Sequence, residues 1–98
     1  MVTYPRESLG SLVAMDPAAK RALEGSLARL GRLWDVPGLG SQVTIRTSAR
    51  LKQSLGSYNA SRGEITLAAW LVDGPTPLLN EVLCHEAAHA AARLVHGD

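Results

Sequence analysis

The stretch Thr76-Pro77-Leu78-Leu79-Asn80-Glu81-Val82-Leu83-Cys84-His85-Glu86-Ala87-Ala88-His89-Ala90-Ala91-Ala92-Arg93-Leu94 decides how the rest of the chain is read. Thr76 before Pro77 is a cap-plus-proline helix entry, because proline's missing N–H costs nothing in the first turn. Leu78, Leu79, Val82, Leu83 and an alanine series carry the helix to about Leu94, and Gly97 is its stop. His85 and His89 are four residues apart, so both imidazoles leave one helical face about one turn from each other. Two nitrogens so spaced can reach a single zinc ion at about 2.0–2.1 Å each. Glu86 projects beside the pair, where it can take a proton from a water that the cation has acidified. The stretch is therefore an H-E-x-x-H signature, with two ligands and a general base on one rigid element.

A catalytic zinc takes three protein ligands and a water. The metzincin spacing would put a histidine at position 95, which is Val95. His96 follows it, about 10 Å along an unbroken helix from His89, too far to share a metal. It reads instead as a histidine at the helix end. Glu81, four residues before His85, reads as an exposed helix residue or as an outer partner that orients a histidine. Asp73 and Asp98 stay open as ligands. Cys84 points about 100° away from His85 and reads as a small buried hydrophobe.

Upstream of this helix, Asp16-Pro17 pairs an N-cap with an N1 proline. Leu23, Leu27, Leu30 and Trp34 then recur on one face, and Lys20, Arg21, Arg29 and Arg32 form a solvated opposite face. This helix should stop near Asp35, before Pro37-Gly38. Gln42 to Thr47 alternates polar and apolar residues, the period of a half-buried strand. Gln53–Tyr58 and 64–69 flank Asn59-Ala60-Ser61-Arg62-Gly63, which is turn chemistry, and so predict a hairpin. Residues 1–15 are weakly patterned, with a short helix expected after Pro5. Trp34 and Trp70 are expected to fill the core. The order helix, strands, helix predicts an α+β domain: a small, mainly antiparallel three-stranded sheet packed on an N-terminal helix and the C-terminal H-E-x-x-H helix.

Composition bounds the rest. Ninety-eight residues with ten Lys+Arg and nine Asp+Glu make one small, nearly neutral domain. A net charge of +1 gives no electrostatic case for nucleic acid or an anionic membrane. Of the 46% apolar residues, fourteen are alanine and only four residues in the chain are aromatic, so the core is thin. A mean hydropathy of +0.02 with 19% charged residues argues against disorder. Cys84 alone cannot form an internal disulfide, which suits a reducing cytoplasm, the expected location. The N-terminus lacks a signal-peptide pattern, and no apolar run approaches the ~20 residues of a membrane span.

Three stretches together resemble the SprT-like (Spartan-type) zinc metalloprotease domain over about residues 25–98. They are Ser54-Leu55-Gly56-Ser57-Tyr58, then Gly63-Glu64-Ile65-Thr66-Leu67, then Leu78 through Ala90. In that family a glycine-containing strand and a strand with an I-x-L-like pattern precede a helix reading L-x-H-E-x-x-H-A. The resemblance implies a peptidase with His85 and His89 on Zn2+ and Glu86 as general base. It also implies DNA as a partner, since some members act on proteins crosslinked to or bound on DNA. It further implies a third zinc histidine in an H-G-containing segment beyond the helix. The sequence stops at His96-Gly97-Asp98, so residues 1–98 are expected to form one SprT-like domain incomplete at its C-terminus, with exposed apolar surface and self-association as consequences.

The expected function is a zinc-dependent endopeptidase acting on a protein or peptide, with the strand at 64–69 offering its edge to an extended substrate. Two alternatives stand beside it. One is an inactive zincin-fold module that binds a protein partner. The other is an intracellular H-E-x-x-H regulator that cleaves a repressor.

Overall fold

The computed structural model describes residues 12–13, 15–49 and 55–97. The helix expected after Pro5, residues Gln53 and Ser54 of the expected hairpin, and Asp98 lie outside the described residues. In chain order the elements are β1 (Leu12–Val13), α1 (Pro17–Leu33), α2 (Gly38–Ser41), β2 (Thr44–Ser48), β3 (Gly56–Asn59), β4 (Glu64–Ala68), α3 (Ala69–Val72) and α4 (Thr76–His96). The class is α+β, with helices from both ends of the chain on one sheet.

Helix α1 begins where the sequence puts its cap. The Asp16 carboxylate accepts from the N–H groups of Ala18 and Ala19 at 3.1 and 3.2 Å, which partners two donors that the first turn otherwise leaves free. Asp16→Ala is expected to lower stability by about 1 kcal/mol. Thermal unfolding should register this as a fall in Tm of roughly 4–8 °C. The buried stripe is Leu23, Leu27 and Gly31, with Leu30 and Trp34 half-buried beside it. Lys20, Arg21, Arg29 and Arg32 are exposed. After α1 the chain turns through Asp35, at φ 60°, and seats Val36 and the fully buried Leu39 of α2 against the core.

The sheet order is β1-β2-β4-β3. β3 and β4 form the expected antiparallel hairpin, with Tyr58 opposite Ile65. Its turn is held by Asn59, whose Oδ1 accepts from the backbone N–H groups of Ser61 and Arg62 and from the Ser61 hydroxyl. β1 adds a fourth, two-residue strand antiparallel to β2. The central pair, β2 and β4, is parallel, with Ile45 opposite Ile65 and Thr47 opposite Leu67. The sheet is thus mixed, with two antiparallel pairings and one parallel. Ile45, Thr47, Ile65 and Leu67 face the helices and are buried. On the other face Arg46 Nε reaches Glu64 Oε2 at 3.1 Å, a diagonal cross-strand ion pair.

This order corrects the expected substrate edge. β4 is hydrogen-bonded on both sides, by β2 and by β3, so it has no edge to offer, and among the described residues β1 and β3 are the edge strands. Alternation along 64–69 could not reveal this, because both faces of a central strand alternate just as those of an edge strand do.

Helix α4 runs the predicted course and two residues further. Gly97 adopts φ 75° and ψ 16°, the left-handed cap that glycine takes without a Cβ penalty, and its N–H donates to the Arg93 carbonyl at 2.7 Å. Its entry differs from expectation. Pro75 occupies the cap position, Thr76 is already helical, and no side chain caps the end. The buried residues are Val82, Leu83, Glu86, Ala87, Ala90 and Ala91. Cys84 is exposed, not buried, because it leaves the helix on the side away from that stripe. Trp70 is also corrected: it is 52% exposed, because the short turn of α3 buries Leu71 in its place. No helix among the described residues is long and apolar enough to cross a membrane.

Candidate metal centre

The H-E-x-x-H residues are positioned by the way α4 lies on the sheet. At Gly56 an added Cβ would stand 3.0 Å from Val82 Cγ1 and 3.2 Å from Leu67 Cδ2, so a side chain there would crowd the close approach of α4 to β3. One turn further on is Glu86, which faces the same edge strand. Glu86 is 8% exposed, unusually buried for a carboxylate. It borders two clefts. One, of about 330 Å³, is lined by Leu55, Gly56, Glu81, Val82, His85 and Glu86. The other, of about 490 Å³, lies toward the C-terminus of α4 between that helix and β3, and includes Ser57, Tyr58, Glu86, His89, Arg93 and His96. Among the described residues no side-chain oxygen is both fully buried and unpartnered. Glu86 forms part of the wall of both clefts.

His85 and His89 lie on the open side of the same helix, and both are exposed. Their ring centroids are 4.9 Å apart with the planes at 85°. The rings are neighbours on one face, as the i, i+4 spacing requires, and two imidazoles are donors of the kind zinc takes. The donor chemistry fits zinc as far as these two go.

The remaining candidates do not join them. No group of three His, Cys, Asp or Glu able to hold a metal ion exists among the described residues. His96 ends an unbroken α4, two turns beyond His89, as the axial rise predicts. Glu81 is exposed and shares the smaller cleft with His85. Asp73 is the exposed cap of α3, lining neither cleft. Asp98 lies outside the described residues.

Three cleft residues were not picked out from the sequence. Arg93 had a signal, since it stands one turn after His89 on the same side of the helix. Ser57 and Tyr58 had none, because only strand pairing brings β3 alongside α4.

An H-E-x-x-H helix packed along the edge strand of a small mixed sheet defines a zincin-like domain of metallopeptidase type. The SprT-like family model matches residues 31–98, and the chain belongs to the SprT-like family. That family is associated with metal-dependent, zinc-type peptidases. Comparison with curated proteins and with solved structures gives no match.

Proposed function

We propose that this chain is a zinc-dependent endopeptidase domain in which His85 and His89 are metal ligands and Glu86 is the general base. The observation that carries the reading is the pairing of two outward imidazoles, 4.9 Å apart, with a carboxylate beside them that borders both clefts. Zinc bound there supplies Lewis-acid polarisation of the scissile carbonyl and makes water acidic enough to deprotonate near neutral pH. The chain's own residues supply the rest. β3 is the edge strand on the α4 side among the described residues, and an extended polypeptide lies along it by strand addition, between β3 and α4. The Glu86 carboxylate takes a proton from the attacking water as its oxygen bonds to the carbonyl carbon. Glu86 then delivers that proton to the amine nitrogen as the carbon–nitrogen bond breaks. Burial against β3 restricts the Glu86 side chain, so it enters the reaction with little rotamer freedom left to lose.

Calorimetric titration of the metal-free protein tests the site. The expected result is one equivalent of zinc bound. His85→Ala and His89→Ala should each weaken binding by about a hundredfold or more, with the helical circular dichroism unchanged. Zinc uptake indifferent to both substitutions would remove the ligand assignment. A protein that takes up no zinc would favour the reading as an inactive zincin-fold module that binds a protein partner.

A further inference from the structure

We infer that Arg93 is a specificity-determining residue that receives an acidic side chain of the bound polypeptide, so that this domain selects substrates carrying Glu or Asp on the C-terminal-α4 side of the scissile bond. The inference rests on the endopeptidase reading and adds the substrate class to it. Arg93 lies on α4 one turn beyond His89 and lines the larger cleft together with Glu86, His89 and Tyr58. The residue is half-buried, and its guanidinium lies at the exposed end of the helix, where a ligand entering the cleft can reach it. Its Nη1 donates to the Gly97 carbonyl at 3.2 Å, which anchors one arm of the fork to the helix end. A guanidinium has five N–H donors in a planar array, so this single bond leaves the others for a second acceptor. No carboxylate pairs with Arg93 among the described residues, whereas Arg46, on the opposite face of the sheet, is held by Glu64. The nearest acid lining the cleft, Glu86, is the proposed base and is not bonded to it.

A polypeptide laid along β3 passes through this cleft as it leaves the histidine pair. Side chains on an extended strand alternate, so every second one turns toward α4. One carboxylate placed there would meet a cation fixed at one end, with the geometry for a two-pronged charge-assisted bond. His89 and His96 border the same cleft and add no negative charge. The simpler role for Arg93, closing the last turn of α4 through Gly97, predicts an effect on stability and none on which peptide binds.

The experiment walks a single Glu, Gln or Lys through each position of an otherwise neutral eight-residue peptide. Binding is read by fluorescence anisotropy on zinc-loaded Glu86→Gln protein, which keeps the peptide intact, and cleavage of the same set is read by mass spectrometry on the unsubstituted protein. At one position the Glu peptide should bind about tenfold tighter than its Gln counterpart. Arg93→Gln should erase that difference, and Arg93→Glu should transfer the preference to Lys at the same position. Equal binding of Glu and Gln peptides at every position, a preference that survives in Arg93→Gln, or no measurable binding of any Glu peptide would overturn the assignment. The endopeptidase reading fails separately, through absence of cleavage by the unsubstituted protein while the binding preference persists.

Discussion

Glu86→Gln is expected to lower kcat/KM for peptide cleavage by about 10²–10⁴-fold while zinc uptake stays as in the unsubstituted protein. Glutamine has nearly the shape of glutamate, so the wall between the two clefts is preserved. Its amide nitrogen donates and its oxygen is a very weak base, so it cannot hold the proton between attack and departure of the amine. Because Glu86 is 8% exposed and packed against the edge strand, neighbouring side chains cannot readily swing into its place. Steady-state hydrolysis of a fluorogenic peptide, run beside a zinc titration of the same preparation, separates the two effects. Loss of activity with loss of zinc would make Glu86 a ligand or a fold element, and undiminished hydrolysis would remove it as the base.

The second large effect is on stability. Leu83→Ala should cost about 2–5 kcal/mol, because Leu83 is 1% exposed and its removal leaves a cavity between α4 and the sheet. Set against a total of about 5–15 kcal/mol for a typical domain, that is a large fraction. Half of the buried residues of α4 are alanine, so little on that helix is left to close the gap. Urea unfolding should show a lower midpoint at unchanged slope. Cys84→Ala, one residue along, is the control: Cys84 is exposed, and its replacement should stay within about 0.5 kcal/mol. Equal effects at the two positions would contradict the facing of α4, and with it the direction in which His85 and His89 point.

The contrast between Leu83 and Cys84 also marks how far the sequence could be read. Both are small-to-medium apolar residues in one helical run. Periodicity establishes the helix, yet in an alanine-rich helix it scarcely distinguishes the core face from the open one. Alanine is at home on either, as buried Ala87 and exposed Ala88 demonstrate. The same weakness misplaced Trp70, whose neighbour Leu71 takes the buried position. Two chemical signals held, since Asp16 caps α1 and Gly97 ends α4 in a left-handed turn, whereas Thr76, expected as a cap, is already helical.

What the sequence by itself determined is much of the geometry internal to a few successive residues, though not the short helices α2 and α3 or the entry of α4. The two helices, the Asn59 turn with its hairpin, and the shared face of His85 and His89 follow from hydrogen bonds and spacings that the backbone repeats every turn or every second residue. Only the tertiary structure decided that β2 pairs in parallel with β4, that β3 becomes an edge, and that Glu86, Tyr58 and Arg93 come to border one cleft. Those depend on which of several similar apolar faces pack together across tens of residues. That choice belongs to the summed burial of the whole core, and no short stretch of the chain records it.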